Sequence, residues 1–154
     1  MKLRILSIGG KPPAWVRDGF EEYAKRMPKE MALSLLDIPA PRHGSDLARS
    51  RQLEGKKIIE QIRAQDWVIA LDEHGKPRTS VQLAQAMAQW RGLGQDLVFC
   101  IGGADGLSEP VLERANETLS LSHLTLPHYM VRVVLAEALY RAWSINMRHP
   151  YHRE

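Results

Sequence analysis

The segment WVIALDEHGKPRTSVQLAQAMAQWRGLGQDLVFCIGGADG, residues 67–106, decides the fold class of this chain. It contains two short apolar runs, Trp67–Leu71 and Leu97–Ile101, and each is followed at once by polar or glycine-rich sequence. Between these runs, apolar residues such as Leu83 and Met87 recur at helical spacing. Parallel strands need a long crossover, usually a helix, so the segment predicts a strand–helix–strand unit of an α/β domain.

The ends of the connecting helix have their own signals. Thr79 is followed three residues later by Gln82, which is the spacing of a capping box. Gly92 and Gly94 come after the last apolar position, as is typical of a helix end. The helix is therefore predicted to begin after Thr79 and to end near Gly92.

The same alternation continues on both sides of this segment. Further strands are predicted at Leu3–Ile8, Leu33–Ile38 and Leu119–Leu121. Further helices are predicted from Pro12 to Pro28, from a basic loop at 41–50 to about Arg63, from Ser108 to about Asn116, and from about Met130 to Met147. The chain is thus predicted to form one α/β domain, residues 1–154, with a mainly parallel sheet between helices.

Composition narrows the class of protein. The 154 residues are 44% hydrophobic and 25% charged, which suits one globular domain. No apolar run approaches the ~18 residues of a membrane span, and the start MKLRILSIGG has no cleavage site of a signal peptide. Cys100 is the only cysteine, so we expect a reducing, cytoplasmic location. The net charge of +3 indicates a nucleic-acid partner only weakly.

Three loops follow the carboxyl ends of predicted strands: Asp72–Lys76, Gly102–Gly106 and Ser122–His128. Ligands bind at such loops in open parallel sheets. The sequence IGGADG, Ile101–Gly106, lets the backbone approach a ligand closely, and a helix follows it. It is equally typical of a tight turn, and it matches neither the Walker nor the GxGxxG pattern.

The last predicted helix has an apolar stripe and a polar side. The stripe contains Val131, Val134, Leu135, Ala138, Ala142 and Ile145. The other side carries Arg132, Glu137, Tyr140 and Arg141, in which Glu137 and Arg141 are spaced to pair. Four arginines and three aromatic residues fall in residues 132–153, a composition that suits phosphate contact and base stacking but equally a core or an interface.

Two other kinds of site are not favoured by the sequence. His149 and His152 are three residues apart, but Pro150 prevents a regular helix between them and no cysteine is nearby, so no metal site is predicted. A serine hydrolase is also disfavoured, because no GxSxG elbow occurs.

The C-terminal stretch LSLSHLTLPHYMVRVVLAEALYRAWSINMRHPYHRE, Leu119–Glu154, resembles the signature of the RlmH-type ribosomal RNA methyltransferases of the SPOUT superfamily. IGGADG is similar to their glycine-rich loop. MKLRILSIGGKPPAWVRDGFEEYAKR, residues 1–26, resembles their first strand and helix. The resemblance covers essentially the whole chain.

This resemblance implies a fold and an activity. The fold is an α/β trefoil knot, with the cofactor knot in roughly residues 100–147, and the protein is a homodimer. The activity is S-adenosylmethionine-dependent methylation of N3 of a pseudouridine in helix 69 of 23S ribosomal RNA, on the assembled ribosome. The residues implied to bind the cofactor are Leu71, Gly103, Ser122, His123, Leu124, Thr125, Leu126 and Pro127.

The residues for catalysis and RNA contact are hypotheses. His128 is the candidate general base, because it directly follows the cofactor loop. His152, supplied by a second subunit, is its rival, and loss of the proton through water is a third option. The candidate RNA contacts are Arg132, Tyr151, His152 and Arg153. The tail is equally consistent with closing a dimer.

Three other functions remain open on the sequence alone. One is a non-catalytic RNA-binding or ribosome-assembly factor. Another is a nucleotide-binding enzyme that uses the IGGADG turn for a phosphate. The third is a SPOUT methyltransferase acting on transfer RNA.

Overall fold

A computed structural model describes residues 1–41 and 46–153. The strands are β1 (Leu3–Ile8), β2 (Leu33–Ile38), β3 (Trp67–Leu71), β4 (Leu97–Ile101) and β5 (Glu117–Leu119). The helices are α1 (Ala14–Ala24), α2 (Leu47–Glu60), α3 (Ser80–Arg91), α4 (Glu109–Arg114) and α5 (His128–Asn146), with a 3₁₀ turn at Lys29–Met31. Within these ranges, no helix is long and apolar enough to cross a membrane.

The five strands form one sheet in the order β2-β1-β4-β3-β5. Every neighbouring pair is parallel, which confirms the predicted α/β architecture with a parallel sheet. Strand β4 is buried throughout and lies between β1 and β3. Because all strands run the same way, their carboxyl ends lie at one edge of the sheet. The trefoil knot implied by the resemblance stays a prediction.

The helices cover the two faces of the sheet in two layers. Alternate side chains of each strand point to opposite faces, so Ile5 and Phe99 enter one core and Leu6 and Cys100 the other. Helices α1, α3 and α5 complete the first core, and α2 and α4 complete the second. Burial raises the pKa of the Cys100 thiol to about 12, so this cysteine is an apolar core residue.

Several predicted boundaries shift by a few residues. Strand β5 occupies Glu117–Leu119 instead of Leu119–Leu121, and α4 ends at Arg114. Asn116 causes both shifts, because its main-chain N–H and side-chain oxygen both bond Val68 of β3. The capping box of Thr79 and Gln82 is confirmed. Part of the predicted basic loop, residues 42–45, lies outside the described residues.

The predicted stripe on the last helix is wrong in part. The fully buried residues of α5 are Arg132, Leu135, Ala136, Leu139, Tyr140, Ala142 and Ser144. Arg132 and Tyr140 were expected on the polar side. They are buried because α5 packs against both α1 and α3, so more than one side of it is covered. The Glu137–Arg141 pair is confirmed, with 2.7 Å between Oε1 and Nη2.

The carboxylate of Glu117 joins three separate parts of the fold. Its Oε2 accepts hydrogen bonds from Trp67 Nε1 at 2.7 Å and from Trp90 Nε1 at 2.6 Å. Its Oε1 accepts from Arg78 Nη2 at 2.8 Å. This single group on β5 thus holds the start of β3, the end of α3 and the loop after β3, because each donor needs a partner when it leaves water.

We expect Glu117→Ala to lower the free energy of unfolding by about 2–4 kcal/mol, because two indole N–H groups and one guanidinium lose their acceptor. Urea denaturation followed by tryptophan fluorescence measures this loss. Glu113→Ala, an exposed position on α4, is the matched control and should change stability little. Equal stability of the two variants would show that Glu117 is dispensable.

Candidate active site

A cavity of about 680 Å³ lies at the carboxyl edge of the sheet. The three loops predicted to carry a ligand all line it: residues from Asp72–His74 after β3, from Gly102–Gly106 after β4, and from Ser120–Leu126 after β5. His128, the first residue of α5, completes the wall. The parallel sheet therefore brings together loops that are about 50 residues apart along the chain.

The glycine-rich loop after β4 turns back on itself. Gly106 has a φ of +82°, and its N–H donates to the carbonyl of Gly103 at 3.1 Å. A Cβ on Gly102 would lie 2.5 Å from the carbonyl carbon and oxygen of Gly106, so the close turn requires glycine there. All five residues of this loop line the cavity, and only Ala104 and Asp105 carry side chains there.

The loop after β5 is held by its own serines. Ser122 Oγ accepts a hydrogen bond from the N–H of Leu124 at 2.9 Å, and Ser120 Oγ donates to the carbonyl of Ser122 at 3.1 Å. The loop begins beside the loop after β3, since the N–H of Ser120 donates to the carbonyl of Lys76 at 3.0 Å. These bonds give the segment a defined path along the cavity.

Six of the eight residues expected to bind a cofactor line this cavity: Leu71, Gly103, Ser122, Leu124, Thr125 and Leu126. His123 lines a smaller neighbouring cavity of about 320 Å³ instead. Pro127 lines neither and occupies the position before α5, where its fixed φ suits a helix start. Sequence reasoning did not single out Asp105 or the apolar Leu119, which also line the main cavity.

Beside the cavity, a buried ion pair joins α5 to the sheet. The guanidinium of Arg132, whose side chain is completely buried, pairs with Asp37 near the end of β2. The ring of Tyr129 lies 5.0 Å from the guanidinium carbon. Burial raises the pKa of Asp37, and the charge of Arg132 opposes this effect. The pair fixes where α5 begins relative to β2.

This position corrects the sequence prediction for Arg132. A guanidinium with no exposed surface has no contact with an external phosphate, and its charge is already matched by Asp37. The arginine was expected on the polar side of an amphipathic helix, but α5 is covered there. Arg132 therefore holds α5 to β2 instead of facing an RNA phosphate.

His128 lies next to this ion pair and is half-buried. Its Nε2 is bonded to the carbonyl oxygen of Ile8, at the end of β1. Arg132 Nη2 lies 3.4 Å from the same nitrogen. A carbonyl only accepts, so the tautomer that satisfies the closer contact, the one to Ile8, carries its hydrogen on Nε2 and leaves Nδ1 able to accept a proton. Burial lowers the pKa of His128 below its ordinary value of 6.5, and Arg132 lowers it further against the effect of the Ile8 bond.

A glycine makes room for this histidine. Gly9 has a φ of +143°, and a Cβ on it would lie 2.7 Å from His128 Nε2. The carbonyl of Gly9 accepts a hydrogen bond from the Tyr129 hydroxyl at 3.2 Å. The end of β1 and the start of α5 are thus fitted to each other by contacts of the His128 and Tyr129 side chains with the main chain of Ile8 and Gly9.

The C-terminal tail packs on α5, away from the cavity lining. The Tyr151 hydroxyl donates to Glu137 Oε1 at 3.0 Å, and its ring meets that of Tyr140 edge to face, with centroids 4.7 Å apart. Burial and the bond to Glu137 raise the pKa of Tyr151. His152 Nδ1 lies 2.7 Å from Ser144 Oγ, whereas Arg153 is exposed. Tyr151 and His152 keep part of their surface exposed, and Arg153 is the most exposed of the three.

In the part of the chain that the structure describes, no group of three histidine, cysteine, aspartate or glutamate side chains is arranged to hold a metal ion. The polar side chains that line the cavity are hydroxyls, carboxylates and histidines.

Comparison with solved structures gives the fold. A probable methylase family protein from Haemophilus influenzae matches with a TM-score of 0.55 over 99% of this chain and 70% of that one. The two sequences are 12% identical, so the similarity concerns the fold alone.

Comparison with known sequences gives the family. A family model described as "Predicted SPOUT methyltransferase" matches residues 1–152. A protein of Hahella chejuensis named ribosomal RNA large subunit methyltransferase H is 48% identical over 156 residues, covering 100% of both chains. A protein of the same name from Herminiimonas arsenicoxydans is 52% identical over 155 residues, or 99% of each chain. The chain therefore belongs to the SPOUT methyltransferase family, and within it to the RlmH type.

Proposed function

We propose that this methyltransferase transfers a methyl group from S-adenosylmethionine to N3 of a pseudouridine in helix 69 of 23S ribosomal RNA. We further propose that it acts as a cytoplasmic homodimer on the assembled ribosome. Relatives of the same length, about half identical, carry the name ribosomal RNA large subunit methyltransferase H, and this supports the ribosomal substrate. The target atom and base come from the resemblance of Leu119–Glu154 to the RlmH-type signature.

The cavity at the carboxyl edge is the observation that carries the proposal. Its volume of about 680 Å³ lies within the range of roughly 300–1,000 Å³ of small-molecule sites. Leucines such as Leu71, Leu119 and Leu126 supply apolar walls for an adenine ring. The glycine-rich loop and the loop after β5 supply main-chain donors and acceptors. These residues fit a nucleoside with a short polar side chain.

The bound cofactor supplies a methyl group on a sulfonium, which is already activated for transfer. The protein then has to align the target nitrogen with that methyl group, and alignment contributes up to ~7–11 kcal/mol in well-oriented reactions. The rigid edge of the sheet and the serine-held loop supply this fixed geometry. The base must also give up the proton on N3.

His128 is the residue we propose to accept that proton. It lines the cavity, its Nε2 is occupied by the carbonyl of Ile8, and its lowered pKa keeps Nδ1 unprotonated at neutral pH. His152 lines neither cavity in its own chain. It would serve as the base only if a second subunit brought it to this cavity.

The experiment that tests the proposal is titration calorimetry with S-adenosylmethionine and, separately, with ATP. We expect binding of S-adenosylmethionine at about one site per subunit and none of ATP, because no lysine or arginine of the described residues lines the cavity to hold a triphosphate. Failure of the folded protein to bind S-adenosylmethionine would favour a non-catalytic RNA-binding factor. Binding of ATP alone would favour a phosphate-using enzyme.

A second test compares ribosomes with transfer RNA as methyl acceptors. We expect methylation of ribosomes carrying unmodified 23S RNA, with no transfer of labelled methyl to transfer RNA. The reverse result would identify a transfer-RNA enzyme on the same fold.

We expect His128→Gln to reduce methylation of ribosomes about 100-fold or more while leaving cofactor affinity nearly unchanged, since glutamine keeps a donor for Ile8 but cannot accept the proton. Single-turnover rates and calorimetry measure the two effects. Near-normal turnover would exclude His128 as the base.

The lowered pKa of His128 determines how this residue makes the folding stability depend on pH. Because the folded pKa of His128 lies below 6.5, the unfolded chain takes up this proton first as pH falls. The contribution of His128 to stability is therefore present above pH 6.5 and is lost below it. Nuclear magnetic resonance of the ring protons should give a titration midpoint below 6.5, and a midpoint above this value would contradict the assignment.

We expect Arg153→Ala to raise the KM for ribosomes about threefold to fivefold through loss of one exposed phosphate contact. The slope of the logarithm of the ribosome-binding constant against the logarithm of the salt concentration should become shallower by about one. Cofactor binding should not change. Arg91→Ala, exposed at the end of α3, is the matched control. If both variants behave alike, the tail has no specific contact with RNA.

A further inference from the structure

The cavity is acidic although the protein as a whole is basic. Asp72, Glu73 and Asp105 lie on its wall, and no lysine or arginine of the described residues does. The basic groups there are two histidines, and burial keeps the pKa of one of them, His128, below its ordinary value. The chain nevertheless has a net charge of +3. Negative charge is thus concentrated where the cofactor is proposed to bind.

A fourth carboxylate lies directly behind the glycine-rich loop. Glu54 of α2 approaches so closely that a Cβ on Gly103 would be 2.9 Å from its Oε2. Burial first, and then the negative charge of Asp105, raise the pKa of Glu54. Neither carboxylate forms an ion pair within the described ranges. The two groups repel each other, and a positive charge in the cavity would relieve that repulsion.

The carboxylates of Asp105 and Glu54 disfavour phosphate, which is the usual ligand of a glycine-rich turn. Such a turn before a helix is typical of phosphate binding, in which main-chain N–H groups and a lysine or arginine face the anion. Here a phosphate would meet Asp105 on the loop itself and Glu54 behind it. The electrostatic preference of this edge is therefore for a cation.

We propose that Asp105, backed by Glu54, makes the cavity selective for the methylated cofactor over its demethylated product through the charge on sulfur. The inference rests on the proposed function. S-adenosylmethionine carries a positive sulfonium, whereas S-adenosylhomocysteine has a neutral thioether and is otherwise the same except for the methyl group. A cavity that stabilises the sulfonium releases the spent product more readily, and it disfavours nucleoside triphosphates for the same reason.

The test is calorimetric titration of S-adenosylmethionine, S-adenosylhomocysteine and sinefungin, a related nucleoside with a protonated amine in place of the methylated sulfur. Asp105→Asn and Glu54→Gln remove one charge each with little change of shape. We expect each variant to raise the dissociation constants of both cationic ligands about threefold to fivefold, the range of one partly exposed ion pair. The dissociation constant of S-adenosylhomocysteine should change less than about twofold. Glu60→Gln, exposed on α2, is the matched control and should change none of the three.

Salt gives an independent readout on the unaltered protein. The preference for S-adenosylmethionine over S-adenosylhomocysteine should shrink as ionic strength rises from about 0.05 M to about 0.5 M, because salt screens partly exposed charges. Thermal unfolding confirms that each variant is folded; Asp105 is exposed, so its substitution should leave stability unchanged.

The outcomes separate the two proposals. If the acidic variants bound all three ligands equally more weakly, or bound none of them more weakly, charge selection would be overturned and the methyltransferase proposal would remain intact. No binding of S-adenosylmethionine by the folded protein would remove the proposed function itself, and this inference with it. A selective loss for the two cations in both acidic variants, absent from Glu60→Gln, would establish it.

Discussion

The parallel pairing of β4 with both β1 and β3 is the constraint on which the rest of the molecule depends. Strand β4 is buried along its whole length and shares its register with both neighbours. Parallel pairing sends every chain segment out of the sheet at the same edge. The loops after β3, β4 and β5 therefore lie close together as they leave the sheet, and the cavity forms between them.

Two kinds of charged group share this edge and differ in their partners. Arg132 and Asp37 neutralise each other in a buried pair, which fastens α5 to β2. Removing either partner of such a pair leaves an uncompensated buried charge. The main effect of the pair is therefore to fix the position of α5 relative to β2. Asp105 and Glu54, in contrast, are near enough to influence each other, and neither forms an ion pair within the described residues. Charge that is left unmatched at a cavity is available to a ligand.

Two loops of the candidate site are shaped by local hydrogen bonds, one closed by Gly103 and Gly106 and the other held by Ser120 and Ser122. A cavity built from a glycine turn and a serine-held loop needs few particular side chains. The same property explains why the short pattern IGGADG by itself resembles an ordinary turn, and why the full-length resemblance was needed to suggest a cofactor.

The sequence by itself determined the α/β class, the strands Leu3–Ile8 and Leu33–Ile38, the capping box at Thr79 and the three loops at strand ends. Each of these depends on neighbouring residues, through spacing of apolar positions or local hydrogen bonds. Only the tertiary structure decided that Arg132 is buried, that Glu117 joins two tryptophans and an arginine, and that Glu54 lies behind Gly103. These contacts link residues that are distant along the chain. No local pattern records them, because they arise when helices pack against a sheet that is itself assembled from separated strands.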